Sequence, residues 1–189
     1  MSKPILGIIG GGQLGSMLAM AAKKVDIKTI VLSDDENAPA QKFSDEFIYG
    51  KYENKNVINQ FVNLADIITF EFENIPYQTL NEINKIKPIF PNPSINKIVQ
   101  NRLSEKDFIN KLNIRTTQYV SIKSEPEIDA NQNLLPGILK TTTLGYDGKG
   151  QFRINTIKDL KDLNIDFSNE YILEKLVKLK KEISVIITR

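Results

Sequence analysis

Apolar positions along the chain follow one rhythm in the first half and another in the second. Residues 4–9 form a short apolar run that Gly10, Gly11 and Gly12 interrupt, which predicts a buried strand and a tight turn. Leu14, Met17, Leu18, Ala21 and Ala22 then recur at three- and four-residue spacing, predicting a helix with that face turned inward. Residues 28–32 read as a second strand, and Ser33-Asp34-Asp35 opens the turn after it. Strand, helix and strand make a βαβ unit, the building block of a parallel sheet. The alternation continues with a strand at 47–50, a helix over 54–63, a strand at 65–70 and a helix over 79–85. Pro88-Ile89-Phe90-Pro91 ends it. Such a run predicts a Rossmann-like, doubly wound α/β domain.

Pro91-Asn92-Pro93-Ser94 carries two prolines and a Ser suited to cap a helix, so one pattern stops here and another starts. Helical segments continue to Asn113. From Thr117 the period becomes that of an antiparallel sheet, with strands at 119–121, 137–140, 151–154 and 171–174 and a short helix over 156–163. This second part reads as α+β. Residues 182–189 alternate like one more strand, and the sequence then stops without offering it a partner.

Composition narrows the chemistry. The 189 residues include neither Cys nor His. Thiolate nucleophiles, disulfides, imidazole bases and His or Cys metal ligands are therefore excluded. Chemistry must run on carboxylates, Lys and Arg, backbone amides and a bound cofactor. Lys and Arg number 25 against 23 Asp and Glu, for a formal net charge of +2. Lys178, Lys180 and Lys181 are the one basic cluster, which reads as a solvated face. No apolar stretch reaches the ~18 residues of a membrane span, and the N-terminus carries no secretory signal. The expectation is a cytoplasmic protein that engages neither nucleic acid nor membrane.

Four stretches carry chemistry. Gly10-Gly11-Gly12-Gln13-Leu14-Gly15 fits G-x-G-x-x-G between a strand and a helix, where backbone N–H groups can meet a phosphate. Asp34, after the second strand, would suit a ribose hydroxyl, so a dinucleotide site stays open on this evidence. Glu71 and Glu73 lie where a parallel strand ends, and alternation would aim both into the crevice there. Lys140 leaves a strand and precedes a hairpin tip with three glycines and Lys149, a pattern in which backbone approaches phosphate and lysines supply counter-charge. Glu174-Lys175-Leu176-Val177, with Glu182 further on, reads either as a hinge that an adenine can line or as an ordinary β-connection.

Together these stretches resemble the ATP-grasp superfamily, and within it the 5-(carboxyamino)imidazole ribonucleotide synthases. The likeness lies in GGGQLG (10–15), EFENIP (71–76), NRLSEKDF (101–108), KTTTLGYDGKGQ (140–151) and EKLVKLKKEISVIITR (174–189). The resemblance implies a ligase that uses ATP and bicarbonate to form carboxyphosphate and then carboxylates 5-aminoimidazole ribonucleotide. It implies a first domain over 1–100 on the ribonucleotide side, an ATP-grasp lid over 101–174, and over 175–189 the hinge and first strand of a further subdomain cut short. It assigns ATP to Arg102, Lys140, Gly145, Tyr146, Asp147, Gly148, Lys149, Gly150, Gln151, Glu174, Lys175, Leu176, Val177 and Glu182. Tyr146, Asp147 and Lys149 would lie near phosphoryl transfer, and Gly12, Gln13, Leu14 and Glu73 would face the ribonucleotide. Magnesium ligands would lie beyond residue 189, so none is expected here, and the longer enzyme would be a homodimer. Thr142 and Leu144 stand where many relatives carry Arg and Gly, which implies a difference in phosphate charge and loop flexibility. The formate-dependent glycinamide ribonucleotide transformylases share the architecture, and a truncated module that binds nucleotide without turnover is a further reading.

Overall fold

A computed structural model describes residues 3–144 and 150–185, which fall into two units, 1–100 and 101–189. In the first unit the chain runs β1 (Ile5–Ile9), α1 (Gln13–Lys24), β2 (Lys28–Ser33), β3 (Glu46–Tyr49), α2 (Lys55–Leu64), β4 (Ile67–Phe70), α3 (Tyr77–Asn84), β5 (Ile89–Phe90) and α4 (Pro93–Val99). Its five strands are all parallel, in the order β3-β2-β1-β4-β5. The chain moves outward from β1 in one direction and then in the other, so the topological switch lies between β1 and β4. Strand alternation sorts the core: Ile9, Leu32 and Ile68 join Phe61, Leu80 and Ile83 in one cluster, while Ile8 and Val31 meet Ala19 and Ala40 in another.

The parallel sheet agrees with the sequence pattern, but the inner face of α1 does not. Gly15, Ser16, Ala19 and Ala22 are buried, whereas Leu14 and Met17 are 56% and 54% exposed. The cause is close approach. A Cβ on Gly15 would stand 2.3 Å from the Gly10 carbonyl oxygen, so α1 sits too near β1 for large side chains beneath it. Two smaller expectations also change. Residues 88–91, where the alternation ends, hold one more strand than the pattern offers, since Ile89 and Phe90 pair with β4 at the sheet edge. Asn92, not Ser94, caps α4: its side chain accepts the Ser94 N–H at 3.0 Å, with Pro93 in the first turn. Asn96 and Gln100 then stitch α4 to the segment after β4, each donating to the Ile75 carbonyl.

The second unit contains α5 (Arg102–Lys111), β6 (Tyr119–Ile122), α6 (Glu125–Ala130), β7 (Gly137–Thr141), β8 (Gln151–Ile154) and β9 (Tyr171–Lys175). Its strands form an antiparallel sheet in the order β6-β9-β7-β8. Leu139 and Leu173 point to a core shared with Ile122, Ile128, Ile154, Leu160 and Tyr171. Helix α6 was not legible in the hydrophobic pattern, since Ile128 is its one buried apolar residue. The expected strand over 182–189 is not seen in its described part: residues 176–185 form neither helix nor strand, and Ile183 and Val185 are exposed. An alternating stretch becomes a strand only where another strand offers an edge, and none pairs with it among the described residues.

Candidate functional site

The polar face of the second unit's sheet follows from pairing register. Ile138 on β7 and Tyr119 on β6 both lie opposite Glu174 on β9. Lys140, two residues beyond Ile138, shares that face, while Leu139 and Leu173 point to the core on the other. Helix α5 adds Lys106. The result is a compact charge cluster in which Lys140 Nζ meets Glu174 Oε2 at 2.9 Å and Lys106 Nζ lies 3.3 Å from Oε1. Glu174 is only 8% exposed. Two ammonium groups thus serve one carboxylate, and the cluster has a formal surplus of one positive charge.

Arg102 fixes where α5 begins. Its backbone N–H donates to the Thr142 carbonyl at 2.9 Å, and its guanidinium Nη1 donates to the Thr141 carbonyl at 3.0 Å. The start of the helix is therefore fastened to the strand end that carries Lys140. Asn101 caps it, accepting from the N–H groups of Leu103 and Ser104. Thr142 is buried, and its hydroxyl donates to the Glu170 carbonyl, so it holds the strand end to the segment before β9. Leu144 has φ of 58°, a left-handed conformation that a glycine adopts more readily. Gly150 closes the far side of the loop, its carbonyl accepting the Thr141 N–H. Gly145, Tyr146, Asp147, Gly148 and Lys149 lie outside the described residues.

The backbone of residues 175–176 is partly engaged by the sheet and its flanking segments. Lys175 donates its N–H to the Gln118 carbonyl, its own carbonyl accepts the Thr117 hydroxyl at 2.7 Å, and the Leu176 N–H goes to Pro136. Base recognition there would fall to the Leu176 carbonyl, the second lone pair of the Lys175 carbonyl and the backbone of Val177. Gln151 starts β8 and is exposed, as is Glu182 in the irregular stretch.

In the first unit the glycine turn meets Glu71. Gly10 has φ of 110°, and a Cβ there would lie 2.6 Å from Glu71 Oε1. The Gly12 N–H donates to that same oxygen at 3.1 Å. Burial pushes the Glu71 carboxyl above its ordinary value, with the Gly12 hydrogen bond pulling the other way. A cleft of about 230 Å³ beside the turn is lined by Gly10, Gly12, Asp34, Tyr52 and Glu71 among others. Burial, then the charge of Asp34, raises the Tyr52 phenol, which faces Asp34 and Ser33 and stays protonated. Gln13 and Leu14 are exposed in the first turn of α1.

Strand β4 ends at Phe70, so alternation does not extend to Glu71 and Glu73. Glu71 reaches the glycine turn; the exposed Glu73 instead lends its backbone carbonyl to Gln100 Nε2. Of the residues now in evidence, Lys106 was missed in the sequence. Its signal was there, four residues after Arg102 and hence on the same helical face. No group of three or more acidic side chains that could hold a metal ion occurs among the described residues. Nor is any helix among them long and apolar enough to cross a membrane.

Residues 2–100 match the ribonucleotide synthetase preATP-grasp domain, and residues 107–189 match the ATP-grasp domain. The chain is 38% identical over 187 residues to N5-carboxyaminoimidazole ribonucleotide synthase of Staphylococcus aureus strain COL, covering 97% of this chain and 50% of that protein. It is also 38% identical to the synthase of the same name from Aquifex aeolicus, over 96% of this chain and 48% of the relative. Among solved structures, the Staphylococcus aureus N5-carboxyaminoimidazole synthetase complexed with ADP superposes with a TM-score of 0.87 at 36% identity, covering 95% of this chain and 49% of that one. The chain thus spans about half the length of the curated relatives it matches.

Proposed function

Because the chain belongs to the ribonucleotide synthetase preATP-grasp family, we propose that it carries the nucleotide-recognition part of an ATP-dependent N5-carboxyaminoimidazole ribonucleotide synthase. The reaction is the transfer of the ATP γ-phosphoryl group to bicarbonate, giving ADP and carboxyphosphate. The carboxyl group then passes to the exocyclic amine of 5-aminoimidazole ribonucleotide, with release of phosphate. One observation carries this reading: a nearly buried carboxylate with two lysines leaves a surplus positive charge beside a hinge. A polyanion with a planar base answers both features.

In this reading residues 1–100 form the ribonucleotide side, 101–174 the lid, and 175–189 the hinge and the start of a further subdomain. Lys140 and Arg102 hold phosphate, and the loop of Gly145, Tyr146, Asp147, Gly148, Lys149, Gly150 and Gln151 closes over it near the transferring group. Glu174, Lys175, Leu176 and Val177 frame the adenine, and Glu182 takes ribose hydroxyls. Gly12, Gln13, Leu14 and Glu73 face the aminoimidazole ribonucleotide, with Glu71 bracing the turn that presents them. Catalysis by these residues is positional and electrostatic, as phosphoryl transfer requires. Magnesium would add charge neutralisation at the phosphates, and the described residues gather no ligand set for it. A homodimer working in the cytoplasm completes the proposal.

Calorimetric titration of the chain with ATP tests it. The parent should bind, and Lys140→Ala should bind about tenfold more weakly or worse, the cost of one charge-assisted hydrogen bond. No binding, or binding indifferent to the substitution, would overturn the nucleotide reading.

A further inference from the structure

We infer that Lys106 is a positioning residue that lets Lys140 exchange Glu174 for a nucleotide phosphate. The inference rests on the nucleotide reading above and deepens it. Lys140 is held by Glu174 Oε2 at 2.9 Å, so engaging a phosphate means giving up that bond or stretching it. If Lys140 were the sole partner, its departure would strand a carboxylate that is 8% exposed. A buried charge without a counterion is costly, so Lys140 would stay where it is.

Lys106 removes that penalty. It sits on the other carboxylate oxygen at 3.3 Å, with its side chain 16% exposed, so Glu174 remains compensated after Lys140 turns away. Lys106 is itself held in place. Its ammonium lies 5.5 Å from the centroid of the Tyr119 ring, and the Tyr119 hydroxyl donates to Asp107 and accepts from Asn110, both on α5. Arg102, one helical turn earlier, ties the same helix to the Thr141 and Thr142 carbonyls, next to Lys140. Helix α5, fastened beside the end of β7, therefore keeps Lys106 on the carboxylate when the Lys140 side chain turns away.

Titration with ATP and, separately, with adenosine tests this, because adenosine reads the base and sugar without the phosphates. Lys106→Met should weaken ATP about tenfold and leave adenosine within about twofold. Lys106→Met combined with Glu174→Gln should return the ATP-to-adenosine affinity ratio to within about threefold of the parent, since no carboxylate is left to hold Lys140. An unchanged ratio in Lys106→Met, or a double variant no better than the single one, would overturn the inference in favour of a packing role. If Lys106→Met does not fold, Lys106→Gln takes its place with the same expected and overturning outcomes, and Lys106→Arg, which keeps the charge, should keep the parent's ratio. A parent chain that binds no ATP overturns the nucleotide reading itself, an outcome distinct from a ratio that fails to move.

Discussion

Glu71 shows what a single side chain costs and supplies at a crowded turn. Its carboxylate oxygen takes the Gly12 N–H, and the space it fills is open because Gly10 has no Cβ. Burial raises its folded-state value above that of the unfolded chain. The native state therefore holds the Glu71 proton more tightly than the unfolded chain does. Raising the pH from the ordinary glutamate range through the raised value ionises this half-buried group and removes native stability, and the loss persists at neutral pH. Glu71→Gln keeps an acceptor for Gly12 while deleting the charge. The glutamine variant should show a higher urea midpoint than the parent at pH 7, with the difference shrinking as the pH falls below the ordinary carboxylate range. A gap that is constant across pH would show that the charge of Glu71 carries no such cost. The Tyr52 phenol is also raised, so it contributes no ionisation in this range.

At the scale of elements, helix α1 separates what a sequence pattern encodes from what packing decides. Spacing gave the helix its place and length, yet the face carrying Leu14, Met17 and Leu18 points outward, because Gly15 rests on the Gly10 carbonyl. Hydrophobicity ranks residues by their cost in water; it does not encode the distance between a helix and its sheet, which here admits only small side chains. Met17→Ser should therefore change stability by less than about 0.5 kcal/mol in denaturant titration. Ala19→Leu, which forces a large group between Ile8, Val31 and Ala40, should cost about 1–3 kcal/mol. The reverse ranking would restore the face that periodicity alone suggests. The same limit explains the other differences. Strands β1 and β2 were legible from local apolar runs and β6, β7, β8 and β9 from local alternation, whereas β5 is two residues long and exists through its pairing with β4. Residues 182–185 alternate well and still form no strand, since a ladder requires a second edge. Within the candidate site, Lys140 and Glu174 were legible from motif, but their contact with Lys106 depends on how α5 lies over β7 and β9.

Across the whole molecule, each unit closes a core of its own: one around Phe61, Ile68 and Leu80, another around Leu139, Tyr171 and Leu173. A unit with its own buried cluster can open without dissolving its neighbour's, and the two features of chemical interest are divided in the same way. The glycine turn with Glu71 belongs to the parallel sheet, and the lysine pair on Glu174 belongs to the antiparallel one. Leu139 is fully buried, so Leu139→Ala should cost about 2–5 kcal/mol within the second unit. Residue-resolved hydrogen exchange on the 189-residue chain gives the readout. Protection should fall in β7 and β9, where Leu139 and Leu173 face the same core, while the amides of β1 and β2 keep the parent's rates. An equal loss in β1 and β2 would mean that the chain opens as one cooperative body. Nucleotide binding would then have to stabilise the glycine turn as strongly as the lysine cluster, whereas independent units predict that ATP protects β7 and β9 alone.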